Sequence, residues 1–235
     1  MPNYYPLMLN VRGRPAIVIG GDRVASEKAA ALVACGAQVT VQSEDFGPEL
    51  LTRAEQGSLI LKRKTYEPGD LQGAFVVVAS THDPLLIQAI WTETQERGQL
   101  VNIVDVPEYC SFIVPSILRR GQLTIAVSTE GASPALAKRV RQGLEEWFSP
   151  AYGSYVELAA LARAELRKKG VSYEERDDFF RDYFASDVLA NLEAGNCWQA
   201  ASITSTLLYA YGVDVPSHEL LAVLEEENAH GVGSR

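Results

Sequence analysis

Up to about Ser111 the chain alternates short, unbroken apolar runs with longer stretches whose apolar residues recur at helical spacing. The run PAIVIGG has the length of a buried strand and ends on paired glycines, and the alanine-rich VASEKAAALVACG after it stops at Gly36, a natural helix terminator. AQVTVQS supplies a second strand, so Ala16 to Ser43 predicts a βαβ unit of the usual length, about 30 residues. The alternation continues with SLILKR as a strand, GAFVVVAS as a buried strand, DPLLIQAIWTETQERG as a helix ending at Gly98, and QLVNIVD as a further strand. Strands separated by helices of this length predict an α/β, doubly wound parallel sheet, whose ligands bind beyond the carboxyl ends of the strands. The positions to watch therefore follow the strands: Gly20 to Asp22, Ser43 and Glu44, Ser80 to Asp83, and Asp105.

Beyond Ser111 the rhythm changes. QLTIAVST predicts one more strand, with Leu123, Ile125 and Val127 on one face, and a helix follows from Ser133 and Pro134. Serine at the cap and proline at the first helical position form a start signal, because the serine oxygen takes an orphan amide and proline has none to satisfy. Leu136, Val140, Leu144, Trp147 and Phe148 recur on one face of that helix. A lone strand with an amphipathic helix needs a partner. From about Pro150 the helical patterns YVELAALARAELRKKG, ERDDFFRDYFASDVLANLEAG, CWQAASITSTLLYAYG and SHELLAVLEEENAH predict a small helical domain, with the tail GVGSR frayed. The expected division is residues 1–115, 116–149 and 150–235, with no internal repeat and no low-complexity linker.

Composition narrows the class. The 235 residues, 47% of them hydrophobic, suffice for one large domain or two modest ones with real cores. The apolar runs fall short of the roughly 20 residues that a membrane helix needs. MPNYYPLMLN lacks the basic start and apolar stretch of a signal peptide, so the expected location is the cytoplasm. Cys35, Cys110 and Cys197 are scattered and odd in number, which fits reduced thiols. His82, His218 and His230 show no ligand spacing, so no metal site is expected. A formal net charge of -9 argues against nucleic-acid binding, which needs a basic footprint. One local exception stands out: Ser116 to Arg141 holds Arg119, Arg120, Lys138, Arg139 and Arg141 against the single acid Glu130. Such a cluster suits a polyanion, although a solvated helix face would look the same.

VIGGDRVASEK raises the sharpest chemical question. In a dinucleotide turn the first glycine makes the bend, the second lets the backbone approach the pyrophosphate, and the third position keeps helix and sheet close. Gly20 and Ala25 fill the first and third roles, but Asp22 stands in the second. A carboxylate about 4 Å from a phosphate charge is opposed by roughly 1 kcal/mol in water and about 4 kcal/mol when partly buried. The turn works if Gly21 shares the tight geometry and Asp22 keeps its side chain away, leaving the backbone of Gly20 to Val24, Arg23 included, for the phosphates. Ser43 and Glu44 lie about 20 residues on, where an acidic group bonds the adenosine ribose and favours NAD over NADP. Glu44 could equally be a solvated loop residue. Ser80 and Thr81 follow the buried strand and complete the cofactor candidates. Asp105, in NIVDVPEY, can accept a proton, orient a cationic nitrogen, hold a metal ion or simply cap a turn.

Taken together, YYPLMLNVRGRPAIVIGG, VASEKAAALVACGAQVTV, VVVASTHDP and VNIVDVPEYCSFIVPSILRRGQLTIAVSTEGASPALAKRVR closely resemble the precorrin-2 dehydrogenase family, which includes the dehydrogenase/ferrochelatase part of siroheme synthases. The likeness runs from about Tyr5 to Phe148 and is most specific from Asn102 to Arg141. It implies a Rossmann-type domain, then a strand-helix dimerisation element and a small helical C-terminal domain. It implies NAD-dependent oxidation of precorrin-2 to sirohydrochlorin, a step toward siroheme, in an intertwined homodimer. Asp105 matches the family's catalytic position, as base or substrate orienter, and Ser128 and Thr129 match positions near the tetrapyrrole cleft. Asn102, Arg119, Arg120 and Lys138 are the further substrate candidates, the basic ones because the substrate is a polycarboxylate. Some members also insert ferrous iron. A chelatase without dehydrogenase activity, or a noncatalytic nucleotide- or tetrapyrrole-binding module, would share much of the pattern. The chain departs from the family at Asp22, where a glycine is usual.

Overall fold

The computed structural model describes residues 4–230, so the tail GVGSR lies outside the described residues. The chain separates into two compact units, Met1–Val114 and Pro115–Arg235.

In the first unit the elements run β1 (Pro15–Ile19), α1 (Arg23–Ala34), β2 (Gln38–Ser43), α2 (Pro48–Glu55), β3 (Ile60–Arg63), β4 (Val76–Ala79), α3 (Pro84–Glu96) and β5 (Leu100–Ile103). The five strands form one parallel sheet in the order β3-β2-β1-β4-β5. All four residues of β4 are buried, as expected of an inner parallel strand covered on both faces. Val18, Val39, Val41, Val76 and Val78 face a core with Ala25 and Ala29 of α1 and Leu50 of α2. Ile19, Val77, Val101 and Ile103 face the opposite core with Ile87 and Ile90 of α3. The sequence pattern predicts these elements except α2, an eight-residue helix that Pro48 starts. Strand order reverses between β1 and β4, which opens a crevice beyond their carboxyl ends.

A largely buried carboxylate braces β2 and β3 of this sheet. Asp70, with its side chain 11% exposed, accepts from Gln42 Nε2 at 2.6 Å, Glu67 N–H at 2.9 Å and Lys62 Nζ at 3.0 Å, and pairs with Lys64 at 3.0 Å. Burial alone would raise its pKa, but these donors outweigh burial and hold it well below its ordinary 3.8. A folded-state value below the unfolded one adds stability that is complete above about pH 4 and is lost as pH falls through the folded-state value. Asp70→Asn is therefore expected to cost about 2 kcal/mol at pH 7 and to weaken the loss of stability on acidification. Urea unfolding at pH 7 and pH 3 checks this: an undiminished pH dependence in the variant would assign the acid sensitivity to other groups.

The second unit opens with β6 (Ser116–Arg120) and β7 (Leu123–Val127), an antiparallel pair joined through Gly121, which has φ +52°. The strand expected to be alone therefore has a partner within the chain. Ser116–Arg120 escapes the pattern because it ends in two arginines and shows only two apolar side chains. Helix α4 (Pro134–Trp147) starts as the sequence signals, with Ser133 Oγ accepting from Leu136 N–H at 3.3 Å. Its contacts to β6 and β7 bury only Ala137 among its residues, leaving Leu136, Val140 and Trp147 exposed. Helices α5 (Tyr152–Lys168), α6 (Tyr173–Ala185), α7 (Val188–Glu193), α8 (Cys197–Ala210) and α9 (Ser217–His230) pack around Phe179 and Tyr183. The buried Tyr183 hydroxyl is satisfied by the Tyr155 carbonyl at 2.8 Å.

Candidate functional site

The turn after β1 needs both of its glycines. Gly20 has φ +123°, and a Cβ there would lie 2.8 Å from the Ser80 carbonyl oxygen. A Cβ on Gly21 would lie 1.8 Å from the Asp45 carbonyl oxygen. The β1 turn thus lies directly against the segments leaving β2 and β4, and no side chain fits between them.

Asp22 is the N-cap of α1. Its Oδ1 accepts from Ala25 N–H at 2.7 Å, and the Ser80 hydroxyl lies 3.0 Å from each carboxylate oxygen. Contrary to the expectation that Asp22 turns away from the phosphate position, its side chain does not swing clear of the turn. It folds back over the first turn of α1 and takes one of the orphan amides at the positive end of the helix. The chain thus carries an anion of its own at the place where the fold binds phosphate. The amides of Arg23 and Val24 precede any intrahelical acceptor.

Beside this turn lies an open recess of about 410 Å³ lined by Gly21, Asp22, Ser43, Asp45, Phe46 and Gly47. Ser43 is where the sequence predicts it, while Asp45, rather than Glu44, contributes the acidic lining residue that follows β2. Arg63, at the end of β3, pairs with Asp45 at 3.1 Å, donates to the Glu44 carbonyl and stands 5.3 Å from the centre of the Phe46 ring. Phe46 and Arg63 carry no sequence signal of their own; only their position just after β2 and at the end of β3 marks them.

On the other side of the crevice, Thr81 Oγ1 accepts from Asp83 N–H at 3.2 Å and shapes the loop into α3, where Asp83 caps the helix through Leu85 N–H at 2.9 Å. Asp105 leaves the sheet at this same edge, just past β5, with φ +61°. The left-handed region is uncommon for a residue with a side chain, aspartate being among the more tolerant, and it presents Asp105 on an exposed turn. Asn102, expected to face substrate, is instead buried in β5 and donates from Nδ2 to the Phe112 carbonyl at 3.0 Å.

The remaining substrate candidates belong to the second unit. Ser128 Oγ accepts from Glu130 N–H at 3.0 Å and Thr129 Oγ1 from Ser133 N–H at 2.9 Å, so both hydroxyls shape the loop that enters α4. Glu130 in that loop has φ +52°. Arg120 Nε donates to the Phe148 carbonyl at 2.8 Å, tying β6 to the end of α4, while Arg119 and Lys138 are exposed. Among the described residues no cluster of three His, Cys, Asp or Glu side chains is placed to hold a metal ion, and no helix is long and apolar enough to cross a membrane.

The paired-glycine turn, the crevice at the strand reversal and the recess beside β2 define a Rossmann-type, NAD(P)-binding protein. In agreement, a family model for NAD(P)-binding matches residues 7–116, and one for the sirohaem biosynthesis protein central region matches residues 120–146. The siroheme synthase of Zymomonas mobilis is 34% identical over 202 residues, covering 86% of this chain and 43% of that protein. That of Methylobacillus flagellatus is 37% identical over 179 residues, covering 76% and 38%. The chain spans less than half the length of these curated relatives. Among solved structures, SirC, precorrin-2 dehydrogenase, matches with a TM-score of 0.67 at 27% identity, covering 82% of this chain and 98% of that one. The chain thus carries an NAD(P)-binding region followed by a sirohaem biosynthesis central region, and over most of its length it is similar to siroheme synthases and to a precorrin-2 dehydrogenase.

Proposed function

We propose that the protein oxidises precorrin-2 to sirohydrochlorin with NAD+ as hydride acceptor, working as a cytoplasmic homodimer. The observation that carries the reading is the placement of Asp105: a carboxylate in the left-handed region, at the edge of the sheet where the glycine turn forms the dinucleotide crevice. Oxidation removes a hydride and a proton from the macrocycle, and the nicotinamide ring, when bound, supplies the hydride acceptor. Gly20 and Gly21 let the diphosphate approach the backbone, the first-turn amides of α1 receive its charge, and Asp105 takes the proton or orients the pyrrole nitrogen that loses it. Lys138 and Arg119 offer cations to the substrate's carboxylates. The exposed apolar side chains Leu136, Val140 and Trp147 of α4 support the dimer, which sedimentation of the purified protein checks.

NAD+ is favoured over NADP+ because Asp45, an acidic residue just past β2, lines the recess and already engages Arg63. A 2′-phosphate would meet that carboxylate, whereas a 2′-hydroxyl can donate to it. The expected kcat/KM with NAD+ exceeds that with NADP+ by about tenfold or more, and Asp45→Asn narrows the gap by leaving Arg63 unpaired by charge. Turnover with each dinucleotide tests this. Equal use of both by the native protein would remove Asp45 as the discriminator.

A further inference from the structure

The turn that carries Asp105 is closed by a single long backbone bond. Its closing bond, Val106 N–H to the Ile103 carbonyl, is 3.3 Å long, and its third residue is the left-handed Asp105. β5 is also an edge strand. Its even-numbered residues serve β4, with Leu100 N–H reaching Phe75 O and Val104 N–H reaching Ala79 O, so Val101 and Ile103 turn their amides and carbonyls outward.

Two side chains stand in for the missing strand. Ser111 Oγ accepts from Val101 N–H at 2.8 Å, and Ser111 N–H donates to Val101 O at 2.9 Å. One ladder step on, Cys110 Sγ accepts from Ile103 N–H at 3.2 Å and lies 3.2 Å from Ile103 O and 3.3 Å from Val106 O. The thiol therefore touches both ends of the Asp105 turn. Burial pushes its pKa up and keeps the proton on sulfur, where it can be donated to either carbonyl. Asn102 Nδ2, 3.7 Å from the same sulfur, ties the following segment down through Phe112 O, and Tyr109 packs edge-on against Trp91 of α3 at 5.7 Å.

We infer that Cys110 is a positioning residue that holds the Ile103–Val106 turn, and with it the Asp105 carboxylate, in the orientation the oxidation requires. The inference rests on the reading of Asp105 as the group acting on the substrate's proton. Ser111 shows that a hydroxyl makes the same kind of contact at the neighbouring step, so serine should replace Cys110 in part and alanine should not.

The test compares Cys110→Ala, Cys110→Ser, Asp105→Asn and the double variant Cys110→Ala/Asp105→Asn, each assayed for precorrin-2 oxidation and for NAD+ affinity. A loosened carboxylate misplaced by about 1 Å costs turnover by tenfold to a hundredfold. Cys110→Ala is expected to lower kcat by about tenfold with NAD+ affinity unchanged, and Cys110→Ser to recover most of the loss. Because the thiol acts through Asp105, the double variant should be no slower than Asp105→Asn alone. Multiplying losses in the double variant, or parallel losses of kcat and NAD+ affinity in Cys110→Ala, would overturn the inference. So would native kcat in Cys110→Ala while Asp105→Asn is impaired. Native kcat in Asp105→Asn would instead overturn the Asp105 reading, and the positioning role with it.

Discussion

Asp22→Asn should bind NAD+ about tenfold more tightly than the native protein, with little change in stability. Both halves follow from what the Asp22 carboxylate touches. It occupies Ala25 N–H and faces Ser80 at the start of α1, so a diphosphate entering the turn meets a like charge on the helix end that should attract it. Asp22 is exposed, so the repulsion lies nearer the screened limit of roughly 1 kcal/mol than the partly buried one of about 4 kcal/mol, and about 1.4 kcal/mol is tenfold in affinity. Asparagine removes the charge and keeps the cap, since the two residues rank together as N-caps. Asp22→Gly would tighten binding as well and give up a few tenths of a kcal/mol of cap energy. Calorimetric titration with NAD+ at low and high salt separates the effects, because the advantage of the variant should shrink as salt screens the native charge. Weaker binding by Asp22→Asn would mean that the carboxylate contributes to holding the ligand.

The second large effect is expected at Asp105. Asparagine also tolerates the left-handed region, so Asp105→Asn should fold with an unchanged thermal midpoint. It cannot take a proton at neutral pH. The expected loss in kcat is therefore the range typical of a positioned acid or base, about 10²–10⁴, with NAD+ affinity unaltered because the dinucleotide turn lies on β1. Asp105→Ala should lose turnover similarly and add backbone strain of roughly 1 kcal/mol, so the asparagine variant is the cleaner probe. Steady-state rates beside a melting curve decide it: full turnover in a folded Asp105→Asn would remove the carboxylate from the chemistry.

The alternation of strands and helices was legible because buried parallel strands such as Val76–Ala79 appear as unbroken apolar runs, and the helices between them carry stop signals such as Gly36. The cap at Asp22 was legible in principle, since aspartate opening a helix is a standard start signal. Side-chain direction was not legible. Asn102 sits in the motif most specific to the family, yet it is buried and bonded to Phe112, and only the register of β5 reveals this. Asp45 and Arg63 lie on loops and strand ends that meet only when β2 and β3 pair. Ser116–Arg120 escaped as a strand because pairing with β7, rather than apolar content, defines it.

The proposed function requires that a turn bearing its own carboxylate still bind NAD+ for oxidation of a tetrapyrrole. The most direct measurement is anaerobic conversion of precorrin-2 by the purified protein with and without NAD+, following sirohydrochlorin and NADH absorbance together. Conversion is expected only with NAD+, with one NADH formed for each sirohydrochlorin. Tetrapyrrole bound but unchanged in the presence of NAD+ would contradict it, and would favour a protein that carries or metallates the macrocycle without oxidising it.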